Sequence, residues 1–283
     1  MPEVRLEGGE IDGLALHYVS AGRGPAVVLL HGLGGFAESW RRTLDALAGR
    51  AAVQAVDLPG CGLSGKPRAR YDLTFFARAL DGFLDALGLG QVSLVGHSLG
   101  GAIAVAYALT RPGRVDRLAL LGAVVPGFDY RLSWLYRMVA LRGLGEVLAL
   151  CGSRRIYRAA IARCFHAPTA AEVDMLVDWG YAARTGWEAK AAYLATLRGV
   201  RTDFETRADA YRRVVATLPM PVLLVHGRQD PIVPAGHCVS VAKGLQRATV
   251  RWLDGCGHFP QIEHADTVNG WLEEFLVGRP APR

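Results

Sequence analysis

Residues 96–101 read Gly-His-Ser-Leu-Gly-Gly, and the interpretation of the whole chain depends on this stretch. It follows the apolar run Val92–Val95, which predicts a buried strand, and it leads into Leu99–Leu109, an alanine-rich run that predicts a helix. A serine at a sharp turn from strand to helix is crowded by the residues two positions before and after it. Gly96 and Gly100 remove those side chains. In this context the pattern G-x-S-x-G is typical of a nucleophilic serine.

Short apolar runs alternate with longer helical patterns on both sides of this stretch. Continuous apolar runs are typical of a parallel sheet that is covered on both faces, and their alternation with helices predicts right-handed β-α-β units. The runs Val4–Leu6 and Leu14–Tyr18 predict edge strands joined by a turn at Gly8 and Gly9. We therefore expect an α/β fold with a mostly parallel sheet of eight strands and helices on both faces. The other predicted strands are Ala26–Leu30, Ala51–Val56, Val115–Leu121, Val222–Val225 and Ala248–Leu253, and the other predicted helices are Phe36–Ala48, Leu73–Leu87, Ala235–Gly244 and Ala265–Val277.

The segment 126–213 interrupts this alternation because it contains helical stretches and no strand-like run. We interpret it as a helical lid inserted after the sixth strand, with 1–125 and 214–283 forming the core. An insertion over the carboxyl edge of a parallel sheet would cover the crevice in which such folds bind ligands. Six apolar lid residues could line a pocket for an acyl or aromatic group, or could pack on the core. They are Leu132, Trp134, Leu135, Met138, Val139 and Leu141.

Positive charge is concentrated in the predicted lid. The chain of 283 residues has a formal net charge of +6. Within it, residues 126–213 hold 13 Arg and one Lys against nine Asp and Glu, a net charge of +5. Such a surface is either a solvated helical face or one that attracts acidic substrates or anionic lipid headgroups. No short block of Lys and Arg suggests a nucleic-acid partner.

Cysteine usage and the N-terminus indicate the compartment. The five cysteines form no C-x-x-C pair, which argues against a disulfide framework or a zinc site and fits a reducing compartment. The N-terminus has no basic region followed by an apolar run, and no apolar stretch has membrane-spanning length. We expect a cytoplasmic protein without an integral membrane segment. Peripheral membrane contact and the oligomeric state stay open.

A serine becomes a strong nucleophile only when a base takes its proton and a third group orients that base. In folds with this serine turn, the acid and then the histidine follow the serine along the chain. Asp230 comes after the predicted strand Val222–Val225, and His258 comes after Ala248–Leu253. The carboxyl ends of parallel strands meet at one edge of a sheet. We therefore predict a catalytic triad in which Ser98 is the nucleophile, Asp230 the orienting acid and His258 the base.

The remaining histidines and carboxylates are weaker candidates. His31 and His97 flank the predicted site in turns, and we expect them to be structural. His264 begins a helix and is expected to cap or pack. Asp57 follows a strand but precedes the serine, so we expect it to brace its loop. Four further histidines lack a partner motif, namely His17, His166, His226 and His237.

The negative charge that develops on an attacked carbonyl requires two backbone N–H donors. One should belong to Leu99, the residue after the serine. The other should come from the loop 31–35, where we choose Leu33, with Gly34 as the alternative. This loop lacks the Lys-Ser/Thr of a phosphate-binding loop, so a nucleotide is not expected. We predict no cofactor and no metal.

Taken together, these motifs resemble the α/β-hydrolase superfamily over nearly the whole chain, in particular its lid-bearing serine hydrolases. The resemblance implies a serine hydrolase of the carboxylesterase or lipase type. Such an enzyme would cleave a carboxylic ester of a moderate-sized apolar or aromatic substrate through an acyl-enzyme on Ser98. Relatives with an aspartate nucleophile, the dehalogenases and epoxide hydrolases, are excluded by this serine. The stretches that carry the resemblance are 30–35, 57–64, 96–101, 227–230 and 255–258.

Residues 257–269 are also similar to the meta-cleavage product hydrolases, which break carbon–carbon bonds in ring-fission dienols. Two positions depart from that pattern, because Phe259 stands where those enzymes usually have Trp and His97 where they usually have Asn. Cys61 is unusual as well, since an aromatic or larger residue is typical there. It is either a packing group, which we favour, or a thiol near the mouth of the pocket. Two alternatives therefore stay open: a carbon–carbon bond hydrolase of a dienol diketone acid, and a ligand receptor on the same fold.

Overall fold

The structure is a computed structural model that describes residues 2–128 and 134–278. Within these residues, eight strands form one sheet, and helices cover both of its faces. The strands are β1 (Glu3–Arg5), β2 (Ala15–Ala21), β3 (Ala26–Leu30), β4 (Ala52–Val56), β5 (Val92–His97), β6 (Val115–Leu121), β7 (Val222–Gly227) and β8 (Ala248–Leu253). The helices are α1 (Arg41–Leu47), α2 (Leu73–Ala86), α3 (Leu99–Thr110), α4 (Trp134–Val139), α5 (Leu144–Leu150), α6 (Arg154–Ala162), α7 (Ala170–Ala182), α8 (Trp187–Thr206), α9 (Ala208–Val215), α10 (Ala235–Gly244), α11 (Pro260–Glu263) and α12 (Ala265–Val277).

The strand order is β1-β2-β4-β3-β5-β6-β7-β8. From β4 to β8 every neighbouring pair is parallel, while β2 pairs antiparallel with both β1 and β4. The predicted α/β fold with a mostly parallel sheet of eight strands is therefore confirmed. All six residues of β5 and of β7 are buried, as expected for central strands with a helical layer on each side. The carboxyl ends of β3, β5, β7 and β8 consequently lie along the same edge.

The predicted helix Phe36–Ala48 is wrong in its first part. The chain forms a 3₁₀ turn at Ala37–Trp40 before α1 begins at Arg41. The cause is a long-range contact, because the backbone N–H of Ala37 donates to the carboxylate of Asp57 at 2.6 Å. A local apolar pattern carries no information about that partner, which lies 20 residues further along the chain.

Six of the described helices, α4 to α9, lie between β6 and β7 along the chain. We call residues 134–215 the insert. Its helices follow the sixth strand, where the sequence predicts an inserted helical segment. Residues 129–133 lie outside the described part of the chain. No helix in the described ranges combines the length and apolar character needed to cross a bilayer.

Candidate active site

Ser98 occupies the sharp turn between β5 and α3. Its φ of 52° lies in the left-handed region, which a residue with a side chain adopts only when its surroundings impose it. The turn packs too tightly for side chains on its flanks: a Cβ on Gly96 would overlap the backbone of Gly100, and a Cβ on Gly100 would overlap the carbonyl oxygen of Leu30. The two glycines therefore allow this turn, as the sequence predicts. Half-buried Ser98 lies at the beginning of α3.

The structure brings the three predicted triad residues together from three separate loops. Ser98 Oγ lies 3.0 Å from His258 Nε2, and His258 Nδ1 lies 2.8 Å from Asp230 Oδ2. Asp230 and His258 are 8% and 5% exposed. Both distances are hydrogen-bonding distances, so the ring can accept the serine proton on one nitrogen while the other donates to the carboxylate.

Asp230 is held in its ionised form by its neighbours. Burial acts to raise the pKa of this carboxyl, but the charge and the hydrogen bond of His258 outweigh burial and lower the pKa. Its second oxygen, Oδ1, accepts the backbone N–H groups of Ile232 and Val233 at 2.8 and 2.9 Å. The carboxylate therefore has partners on both oxygens and a defined orientation toward His258.

His97, the last residue of β5, connects this strand to the backbone of His258. Its Nε2–H donates to the backbone carbonyl of His258 at 2.7 Å, and the two rings lie 4.9 Å apart. Burial lowers the pKa of His97 to about 3, so the ring is neutral at pH 7. Its donor is thereby used inside the protein. Phe259 covers the His97 ring at 5.2 Å between centroids.

The loop 31–35 runs beside the serine turn. A Cβ on Gly32 would lie 3.1 Å from the Cβ of Ser98. The backbone N–H of Gly35 bonds the carbonyl of Gly32 at 2.9 Å, and His31 Nδ1 bonds the same carbonyl at 2.8 Å. Leu33 thus lies within a hydrogen-bonded turn next to Ser98.

Leu99 is the first residue of α3, where the backbone N–H groups have no partner within the helix. The dipole of a helix also favours negative charge at this end. Leu33 and Leu99 remain our prediction for the oxyanion hole.

One arginine of the insert reaches this loop. The guanidinium of Arg184, between α7 and α8, lies directly over Gly34. It stacks on the rings of Tyr157 and Tyr193 at 5.0 and 4.2 Å. Within residues 2–128 and 134–278, no Asp or Glu forms an ion pair with it. A fixed positive charge without a carboxylate partner at the edge of the site is suited to bind an anionic group of a ligand.

The crevice between Arg184 and the loop 31–35 is nearly closed, with a cavity volume of about 10 Å³. That is about the space of one water molecule. Cys61 lies in its wall, and burial raises the pKa of this thiol to about 11. A raised pKa keeps the thiol protonated at neutral pH and so lowers its reactivity.

Glu263 is a residue of the site region that sequence reasoning missed. Its Oε2 accepts the N–H groups of His166 and Gly257, both at 2.9 Å, and its Oε1 accepts that of Phe259 at 3.1 Å. One carboxylate therefore joins the loop that carries His258 to the insert. Its position five residues after His258 was the only signal in the sequence that could have pointed to it. The neighbouring residues give no indication that His166 of the insert would be its partner.

Two further predictions from the sequence differ from the structure. His17 does have a partner, because its Nδ1 lies 2.8 Å from Asp57 Oδ2 and both residues are buried. Asp57 also accepts the N–H of Leu63, so it does brace its loop. Met138 and Leu141, expected to line a pocket or pack on the core, are 40% and 45% exposed, so a large part of each side chain faces solvent. Leu132 and the side chains of Trp134 and Leu135 lie outside the described residues.

Among the described residues, no group of three or more His, Cys, Asp or Glu is arranged to hold a metal ion.

The chain belongs to the α/β-hydrolase superfamily. A family model described as the alpha/beta hydrolase fold matches residues 25–145 and 170–265. The match covers six of the eight strands, β3 to β8, and part of the insert, and it identifies the chain as a hydrolase of this superfamily.

Similar proteins within the superfamily are meta-cleavage product hydrolases. The chain is 30% identical to a 2-hydroxymuconate semialdehyde hydrolase from a Pseudomonas strain, over 94% of this chain and 91% of that protein. The 2-hydroxy-6-oxo-6-phenylhexa-2,4-dienoate hydrolase from Rhodococcus is similar in structure, with 29% identity, a TM-score of 0.82, and 97% and 98% of the two chains covered. A meta-cleavage product hydrolase from Pseudomonas fluorescens has a TM-score of 0.81 at 26% identity, with 97% of each chain covered.

Proposed function

We propose that this protein hydrolyses a carbon–carbon bond next to a carbonyl group in a dienol diketone acid, with Ser98, His258 and Asp230 as its catalytic triad. The observation that carries the proposal is the guanidinium of Arg184, which is held over Gly34, in the loop that runs beside Ser98, without a carboxylate partner among the described residues. A substrate carboxylate at that point would orient the carbonyl group toward the serine. The similarity to hydrolases of this class supports the same conclusion.

In the proposed reaction, Ser98 Oγ attacks the ketone carbon while His258 Nε2 takes the serine proton. The N–H groups of Leu99 and Leu33 stabilise the oxyanion. The carbon–carbon bond then breaks, the electron pair stays on the dienol fragment, and the imidazolium of His258 returns a proton to that carbon. Water, activated by the same base, cleaves the acyl-serine and frees a carboxylic acid. Asp230 orients the ring and stabilises its positive charge throughout.

The insert acts in this proposal as a lid. The crevice between Arg184 and the loop 31–35 has room for about one water molecule, so a substrate carboxylate would reach the guanidinium while the insert is displaced. Closure would then bring the guanidinium onto the substrate and exclude bulk water, which strengthens electrostatic contacts in the site.

Ester hydrolysis is the second candidate, and one observation favours it. His97 is neutral, and its one N–H donates to the backbone carbonyl of His258. It therefore has no N–H left to donate to a diketone acid, whereas an Asn beside the nucleophile could donate one. The acyl-enzyme chemistry of an ester needs no such contact. In this reading Ser98 cleaves a carboxylic ester of a moderate-sized apolar or aromatic substrate.

The test is turnover of 2-hydroxy-6-oxo-6-phenylhexa-2,4-dienoate, measured by the loss of its visible absorbance, beside a series of p-nitrophenyl esters. Wild type and Ser98→Ala are compared, and the substitution should lower kcat on the order of 10⁴-fold. Turnover of the dienoate by wild type alone supports the proposal. Turnover of the esters without the dienoate makes the protein an esterase. Stabilisation by the dienoate without turnover of either substrate makes it a receptor.

A further inference from the structure

The helix α5 buries a small residue and exposes large apolar residues, which is the reverse of the usual pattern in a surface helix. Gly145 is its buried residue and faces Leu194 of α8, where a Cβ would overlap the carbonyl oxygen of Val139. Its largest apolar residues point the other way, since Val147 is 55% exposed and Leu150 63% exposed. A soluble surface helix normally buries its apolar stripe and exposes polar residues. Here the small residue packs and the large ones meet solvent.

This exposed apolar surface continues on both sides of α5 along the chain. Six large apolar residues within the stretch 138–156 are at least 40% exposed. Exposed large apolar side chains that cluster together mark contact sites in proteins, and these six residues are close neighbours along the chain. These residues are Met138, Leu141, Val147, Leu148, Leu150 and Ile156.

Arginines are interspersed with these apolar residues. The stretch 137–163 holds six Arg against one acidic residue, Glu146, which is paired with Arg198. Two of the six bond to acidic residues of α7: Arg154 to Asp178, and Arg158 to Asp174. The other four are exposed and form no ion pair with a described carboxylate. They are Arg137, Arg142, Arg155 and Arg163.

We propose that this surface, the six apolar residues with the four unpaired arginines, binds the surface of an anionic lipid bilayer. Its charge is complementary to anionic headgroups, and its aliphatic side chains can enter the boundary between headgroups and acyl chains. The six exposed apolar residues include no Tyr, Trp or Phe, the aromatic residues that are enriched at protein–protein interfaces, and this favours a bilayer over a protein partner. The contact would bring the insert, which carries Arg184 over the loop 31–35, against the bilayer.

The experiment is flotation of the full chain with vesicles made of equal parts phosphatidylglycerol and phosphatidylcholine, and with vesicles of phosphatidylcholine alone. Wild type should float with the anionic vesicles, and high salt should weaken this binding because exposed charges are screened. The double variant Arg142→Glu/Arg155→Glu should reduce the bound fraction at least about tenfold. Val147→Asp/Leu150→Asp should reduce it to a similar degree, because the apolar part of the contact is lost.

The matched control is Val239→Asp/Arg23→Glu, which alters an exposed valine on α10 and an exposed arginine outside the insert. It should float like wild type, and circular dichroism should show that all three variants are folded. The proposal is overturned if wild type does not float with anionic vesicles, or if the control variant loses as much vesicle binding as the other two variants. A second result would also overturn it: wild type forms an oligomer and binds no vesicles, while the Val147→Asp/Leu150→Asp variant is a monomer. The surface would then join two copies of the chain.

Discussion

The backbone N–H of His258 donates to the carbonyl oxygen of Cys164 at 2.8 Å, so the proposed catalytic base is bonded through its main chain to the insert. Phe165, the next residue of the insert, packs its ring on Phe259 at 4.9 Å between centroids. Displacing the insert at this point would release two contacts of the loop that holds the base. The position of His258 therefore depends on the insert as well as on the sheet.

Glu263 should act as a positioning residue for this loop. Glu263→Gln keeps the side chain's size but leaves one acceptor oxygen for three backbone N–H groups. These donors are exposed or part-buried, so leaving one unpaired costs about 1 kcal/mol, the lower end of the range for a buried donor. We expect kcat to fall about tenfold with little change in KM, because the base is misplaced while the substrate contacts remain. Steady-state kinetics on the substrate identified above measure both constants.

The control is Glu273→Gln, which removes an exposed carboxylate of α12 that pairs with Arg50. It should leave kcat unchanged. Equal activity of the two variants would show that Glu263 has no part in positioning His258.

Arg184→Gln should raise KM for an anionic dienoate about ten- to a hundredfold, since a charge-assisted contact contributes about 1.5–3 kcal/mol. KM for neutral p-nitrophenyl acetate should change little. Arg213→Gln, at an exposed position of the insert, provides the comparison. If both substrates respond to Arg184→Gln alike, the guanidinium supports the fold of the site and does not select the charge of the ligand.

The buried His97 should make the protein less stable in mild acid. Burial holds its pKa at about 3 in the folded chain, whereas the unfolded chain has the ordinary value of 6.5. Below pH 6.5 the unfolded state therefore binds a proton that the folded state does not. The free energy of unfolding should fall by about 2 kcal/mol between pH 6.5 and pH 5 from this group. Burial also lowers the pKa of His31 and His226, which adds in the same direction.

Urea unfolding of wild type and His97→Asn at pH 5, 6 and 7 measures this effect. The variant should start from a lower stability at pH 7 but lose less on acidification. A loss equal to that of wild type would mean that His97 does not contribute to the acid sensitivity.

Gly100→Ala should destabilise the fold by about 3 kcal/mol or more, because the added Cβ would overlap the carbonyl oxygen of Leu30 at the end of a central strand. Gly236→Ala is the matched change, since this glycine also lies in a helix but has open space around its Cβ position. It should be neutral or stabilise by about 0.5–1 kcal/mol. Thermal unfolding followed by circular dichroism compares the two. A similar melting temperature for both variants would mean that the turn at Ser98 tolerates a side chain beside it.

Much of the core was readable from local pattern. The bounds of the last helix, Ala265–Val277, and of three strands agree with the sequence prediction to the residue, because continuous apolar runs and helical spacing are local properties. The missed features were long-range: the turn at Ala37 that Asp57 holds, the partner of His17, and the three bonds of Glu263. Each depends on a partner brought near by folding.

By itself, the sequence determined the fold class, the place of the insert along the chain and the three candidate catalytic residues, because strand order and glycine spacing constrain which loops meet. Only the tertiary structure decided which insert arginine faces the site and which apolar side chains face solvent. The stretch 137–163 has the composition of any amphipathic helical segment. Which side it presents is set by the packing of Gly145 against α8, and not by the order of its residues.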